Sequence, residues 1–233
     1  DFMLHLDPIF AKPWQYLQAN ALLTWTLSKD TFTLIAPYIK VLGEEGKIAA
    51  DFLIRIHMDH AQEDYMDLRV GLTDGDGRFT PKYLPEVLSP ALTEWLSTAI
   101  IKGDVEEGFF QYQGSLSHDA VAAARNISLF FKVHGAELDF QPGWPHVRNV
   151  SGDVFIEDSG VRIMASKGQL LDTQVRDVAV SIPHVPSGKV SHLLLQGNFA
   201  GGLGDGLKIL QDAPIGTAQT FAGWQGEGSL NGR

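Results

Sequence analysis

The sequence predicts a mainly β fold, a long curved antiparallel meander with a few short helices packed on or capping the sheet. Three observations carry this expectation. From residue 127 onward, strand-like runs (127–133, 136–140, 147–157, 161–166, 169–182 and 189–199) are separated only by Gly, Pro, Asn or Asp. Connections that short join antiparallel strands, because parallel strands need a crossover of a dozen or more residues. Helical periodicity, by contrast, is clear in only two places.

In chain order, residues 1–8 (DFMLHLDP) alternate Phe2, Leu4 and Leu6 with Met3 and His5, as a strand stopped by Pro8 does. Residues 12–20, with Trp14 and Leu17, are expected as a short helix. ALLTWTL and TFTLI then form two strands about a turn at Ser28-Lys29-Asp30. Residues 37–42 are a second short helix candidate, ended by Gly43, and a polar break follows at 44–47. DFLIRIH (51–57) and YMDLRVGL (65–72) are strands, and Asp74-Gly75-Asp76-Gly77 is a turn.

The clearest helix follows. Ser89 is its cap, Pro90 occupies the first helical position, and Gly103 stops it after Lys102. Leu88, Leu92, Trp95, Leu96 and Ala99 recur at helical spacing and make one apolar face, expected to plug the sheet. The period then changes to that of a strand, through Val105, Phe109 and Tyr112 to Gly114. A last helix is expected at 203–210, before Pro214. The chain divides, if anywhere, near 74–84, into an N-terminal segment (1–73) and a helix-plus-sheet segment (74–233).

Within the later strands one side is apolar: Val161, Ile163 and Ala165; Val178, Val180 and Ile182; Leu193 and Leu195. The intervening positions hold Arg162, Ser166, Ala179, Ser181 and Gln196, so the sheet is expected to have one greasy and one wetter side.

Composition removes several classes of function. The formal net charge is −10 across 233 residues, with no basic run, which argues against nucleic acid. With no cysteine, thiolate metal sites, redox pairs and disulfides are excluded. No stretch approaches the length of apolar residues needed to span a bilayer. The chain begins at Asp1 without a start methionine and stops at Arg233, as a piece of a longer protein does.

Motif searches return structural explanations. His57 and His60, with His5 and Glu63 as helpers, suggest a metal, but a spacing of three puts the two histidines on opposite faces of a strand. Asp74-Gly75-Asp76-Gly77 opens like a calcium loop, yet its twelfth position is Pro85. Residues 201–206 fail the dinucleotide spacing, since position 209 is Ile. Ser115 and Ser117 beside His118 and Asp119 have no nucleophile elbow. The acidic pairs 44–45, 63–64 and 106–107 are expected on the solvated surface. Phe140, Trp144 and Trp224 suit core packing or a ligand. No enzymatic activity, cofactor or metal is expected.

Text resembling a known family runs through the chain in order. LPEVLSPALTEWLSTAIIKGDVEEGFFQYQGSL (84–116), GAELDFQPGWPHVRNVSGDVFIEDSGVRIMASKG (135–168), VSIPHV (180–185) and GDGLKILQDAPIGTAQTFAGWQGEG (204–228) together resemble the AsmA-like YhdP family of bacterial envelope proteins. The likeness is fullest over 65–230. It implies a protein anchored in the inner membrane with a β-rich periplasmic body, moving phospholipid toward the outer membrane and supporting its permeability barrier. The design implied is that of bridge-like lipid transfer proteins, whose sheet forms a trough with an apolar floor. Phospholipid acyl chains are then the expected ligand, with further envelope proteins as partners and no nucleic acid.

Two functions stay open on the residues themselves. The apolar side lines a lipid conduit, or it is the core of a closed sandwich in a structural β module that binds a protein or glycan. Alternation alone looks the same in both.

Overall fold

A computed structural model describes residues 2–59, 61–117, 119–158, 160–184 and 192–233. A small hairpin, β1 (Phe2–Leu4) with β2 (Trp14–Tyr16), precedes the main sheet. The sheet begins with β3 (Gln18–Leu27), β4 (Thr31–Gly43), β5 (Gly46–His57) and β6 (Tyr65–Asp76). A 3-10 helix (Gly77–Tyr83) and α1 (Pro90–Ala99) intervene before β7 (Ile100–Ser115). It continues with β8 (Arg125–Leu138), β9 (Val147–Glu157), β10 (Gly160–Leu170), β11 (Thr173–Ile182) and β12 (Leu194–Gly202). Helices α2 (Leu203–Asp212) and α3 (Ala218–Phe221) precede the last strand, β13 (Ser229–Gly232).

β3 to β13 form one eleven-stranded sheet in which every strand pairs with its neighbours in sequence. All of these pairings are antiparallel. β6 and β7 pair from Tyr65↔Ser115 to Asp76↔Asp104 although the helices lie between them in sequence, so the sheet is continuous across 74–84. At about 4.8 Å per strand the sheet spans roughly 50 Å across its strands.

An up-and-down sheet has two rims, one at each set of strand ends. The three α-helices, the 3-10 helix at Gly77–Tyr83 and the β1–β2 hairpin follow or precede strand ends on the same rim, that of Gln18, Gly43, Asp76, Ile100, Leu138 and Gly202. Among the described residues the opposite rim carries the turn at 28–30, the connecting residues 58–59, 61–64, 116–117 and 119–121, and a short 3-10 helix, Ala122–Ala124, that leads into β8. The two rims are called the helical rim and the loop rim below.

Four local expectations are corrected. Residues 12–20 form β2 and the start of β3: Trp14 packs on Phe10 and Tyr83, with centroids 4.4 and 5.0 Å away, instead of presenting a helical face. Residues 37–42 continue β4. Pro37 sits where the register slips between Ala36 and Ile39, a bulge that tolerates a residue without an N–H. Asp74 to Asp76 belong to β6, and only Gly77 begins the 3-10 helix. Finally α1 ends at Ala99, so Lys102 and Gly103 are strand residues. Its start is as expected: Pro90 opens it and the Ser89 hydroxyl accepts from the Leu92 N–H at 3.4 Å.

The buried apolar residues are mostly small: Ala36, Ala99, Ala136, Ala165 and Ala213, together with Val105 and Tyr16. Among the described residues no large side chain is fully buried. A sandwich over an eleven-stranded sheet would bury dozens of large side chains. Among the described residues no second sheet lies upon it.

Candidate functional site

The register assigns every strand residue to a face. Beginning from Val161, Ile163 and Ala165, the partners on β9 are Ile156, Val154 and Gly152, and those on β11 are Ile182, Val180 and Val178. Continuing outward, Leu195 pairs with Val180, while on the other flank Leu129, Phe131 and Val133 of β8 meet β9. The same face takes Phe110 and Gly108 on β7, then Leu68, Val70 and Leu72 on β6. It ends with Ile48, Ala50, Phe52 and Ile54 on β5, Phe32 and Leu34 on β4, and Trp25 and Leu27 on β3. One largely apolar surface therefore runs from β3 to β12.

The other face is mixed and charged. It carries Lys47, Asp51, Arg55 and Arg69, then Gln111, Lys132, Asp153, Arg162 and Arg176. Arg69 and Asp51 form an ion pair there at 2.6 Å, as does Lys132 with Glu106 at 2.8 Å. His134 also contacts Glu106, and hydrogen bonds from Lys132 first and His134 second hold the Glu106 carboxyl below its ordinary range.

Register slips explain why the two faces differ in shape. Bulges occur at Pro37-Tyr38, Glu106-Glu107 and Ser166-Lys167, and left-handed residues interrupt strands at Asp74, Asn149 and Asp177. Each puts its extra residue on the polar face. Asp74 reaches Lys47, Asn149 reaches Gln169, Asp177 reaches Asn198, and Ser166 reaches the Ser151 carbonyl. A bulge bends its strand. Extra residues on one side lengthen that side, so the apolar face is the inner side of the bend.

Most apolar-face side chains are half-buried, and among the described residues no second sheet covers them. Seven of the eight expected apolar positions fall on this face through the register above, and Leu193 precedes β12. Leu195 is 67% exposed. Residues 185–191, within the expected strand at 189–199 and the family-like text at 180–185, lie outside the described residues.

The expected plug face of α1 stands on the helical rim and packs mainly through its last turn. Ala99 is 2% exposed, whereas Leu92 and Trp95 are 41% and 46% exposed, and Leu88 and Leu96 are half-buried. The Trp95 indole N–H donates to the Phe140 carbonyl at 2.8 Å, and the Asp139 N–H donates to the Ala99 carbonyl. The 140–145 turn, with Trp144 half-buried against Phe140, thus ties α1 to the sheet. Trp224 is exposed.

Glu45, expected on the surface, is 3% exposed in the β4–β5 turn. It accepts from Lys82 Nζ at 2.6 Å and from the Tyr83 hydroxyl, which also meets the Tyr16 hydroxyl at 3.1 Å. Burial raises the Glu45 pKa, but the hydrogen bonds from Lys82 and Tyr83 outweigh it and hold the carboxyl below its ordinary value. Burial pushes the Tyr83 phenol far up, and Tyr16 upward too. These groups clasp the N-terminal hairpin and the 3-10 helix to the helical rim. Nothing in the sequence signals this pairing, because its partners are 29 to 67 residues apart.

The other candidates are accounted for locally. His57 Nδ1 meets the Glu63 carbonyl at 3.0 Å, and His60 and His118 lie outside the described residues. Asp74 pairs with Lys47 and Asp76 with Arg78. Asp205 accepts from the Asp172 N–H and the Thr173 hydroxyl, fastening α2 to the β10–β11 turn. Among the described residues no cluster of metal-ligating side chains occurs, and no helix is long and apolar enough to cross a membrane.

The fold defines a class: open antiparallel β-sheet proteins with one apolar and one polar face. The chain belongs to the YhdP protein family, whose profile matches residues 1–233. It thereby includes the first 60 residues, where the sequence likeness was loosest. The family is one of envelope proteins related to lipid transport. No curated protein and no solved structure matches the chain.

Proposed function

We propose that this chain is a segment of a periplasmic conduit that carries phospholipid between the inner and outer membranes. The observation supporting this most strongly is the apolar face itself, which runs from β3 to β12 with no second sheet upon it among the described residues. An acyl chain leaving a bilayer forfeits about 0.8 kcal/mol per CH₂ exposed to water. A protein path must therefore offer hydrocarbon contact at every step, and it needs no catalytic group. The bulges that curl the sheet around this face favour a trough over a flat plate.

Extraction of lipid from protein purified without detergent exchange tests the proposal. Native mass spectrometry should find phospholipid adducts that disappear when Phe131 and Ile163, in the middle of the face, are both replaced by Asp. A folded wild-type protein that carries no phospholipid, and takes up none from vesicles, refutes it. An interaction module is the second reading, supported by the exposed Trp95 and Trp224 on the helical rim. It predicts partner capture that survives the Phe131→Asp and Ile163→Asp pair.

A further inference from the structure

The apolar face holds one conspicuous exception. Register places Arg125, the first residue of β8, on that face, in line with Ile127, Leu129, Phe131 and Val133. Among the described strand residues it is the only charged side chain there. Its guanidinium donates to the Ala120 carbonyl at 3.0 Å, and among the described residues no carboxylate pairs with it. Arginine has five N–H donors in a planar fork. A half-buried cation beside Ile127 and Met66 without a protein anion is unfavourable unless another partner arrives.

Among the described residues its cross-strand neighbours supply no partner of their own. The cross-strand partner of Arg125 is Gly114, with φ +139°, where a Cβ would collide with the Ala124 carbonyl. Gly114 is buried and its Cβ position is taken up by the Ala124 carbonyl and the Arg125 Cα, so β7 and β8 approach closely here and β7 offers no polar side chain opposite Arg125. Tyr112, two residues along β7, spends its hydroxyl on the Ser115 carbonyl and does not compete. At the opposite rim the charges satisfy one another: Glu45 with Lys82, and Glu137 with Lys102, His146 and Arg148.

We propose that Arg125 binds the phosphate of a lipid headgroup, which sets lipid in the trough with its tails on the apolar face and its phosphate at the loop rim. This rests on the conduit reading. The guanidinium fork matches two phosphate oxygens, and its place where the hydrocarbon surface meets the loop rim matches the polarity boundary of an amphiphile.

Three probes separate the possibilities: soluble dioctanoyl phosphatidylglycerol, dioctanoylglycerol, which has the same tails without phosphate, and inorganic phosphate. Arg125→Gln should weaken phosphatidylglycerol binding about tenfold, the loss of a charge-assisted hydrogen-bonded pair, and leave dioctanoylglycerol unchanged. Arg125→Lys, which keeps charge but not the fork, should lie between. It also serves as the readout if Arg125→Gln does not fold. Equal losses for both lipids, or no loss for either, overturn the assignment. Inorganic phosphate binding as tightly as the phospholipid, with the same dependence on Arg125, also overturns it by assigning the site to free phosphate. A wild-type protein that binds neither lipid removes the conduit reading itself.

Discussion

Truncating the apolar face should destabilise the protein far less than truncating a core. Ile163 is half-buried, with Val154 and Val180 beside it and, among the described residues, no second sheet above. In a closed core, Ile→Ala costs about 2–5 kcal/mol, including the cavity left behind. On an open face the cavity contribution vanishes and only lateral burial is lost, so Ile163→Ala should cost about 1 kcal/mol. Leu195, 67% exposed, has about a third of its surface to lose, which puts Leu195→Ala near 0.5–1 kcal/mol. Urea unfolding of the purified chain, followed by far-UV circular dichroism, measures both. Saturating lipid adds the missing layer, so the same substitutions should cost more with lipid present than without it. A loss above about 3 kcal/mol for Ile163→Ala in lipid-free buffer would show a covered core and refute the reasoning.

Other expectations concern the clasp, the close strand approaches and the cap. Glu45→Gln leaves Lys82 without its anion and should cost about 2–3 kcal/mol, read as faster hydrogen exchange in the N-terminal hairpin with the central strands unchanged. Because the Glu45 carboxyl lies below its ordinary value of 4.5, its contribution is full above that pH and is lost as pH falls through the folded-state value. Tyr83 acts in the opposite direction: its raised pKa makes the clasp weaken above about pH 10, so hairpin protection should fall at both extremes. Gly152→Ala should disrupt the β9–β10 pairing by more than 2 kcal/mol, since its Cβ would overlap the Met164 carbonyl and come within 2.6 Å of the Ala165 Cα. Ser89→Ala should cost about 1 kcal/mol or less, confined to α1, as measured by exchange at its first turn.

Much of this architecture was legible in the residues. The alternation of Val161, Ile163 and Ala165 against Arg162 and Ser166 gave the face correctly, because a half-solvated strand has a period of two. The same signal was present in Ile48, Ala50, Phe52, Ile54 and Ile56, but Leu53 on the polar face blurred it. Helices were over-assigned where bulges break the period: Pro37 followed by Tyr38, Ile39 and Val41 mimics a capped turn, although Pro37 marks a doubled position in β4. Asp74 resembled a turn because a left-handed Asp in a bulge and one in a turn use the same residue chemistry. Glu45 and Arg125 were beyond reach. What distinguishes each is its surroundings, supplied by Lys82 and Tyr83 in one case and by the uncharged row from Ile127 to Val133 in the other.

The most direct test of the conduit is photo-crosslinking in cells at adjacent residues of one strand. Ile163 lies on the apolar face and Met164, 57% exposed, on the polar face, so a probe at each samples opposite sides of the sheet. Phospholipid adducts at Ile163, Phe131 and Phe52 with none at Met164 are the predicted result. Absence of lipid adducts at all three apolar positions, or equal labelling at Met164, would contradict it.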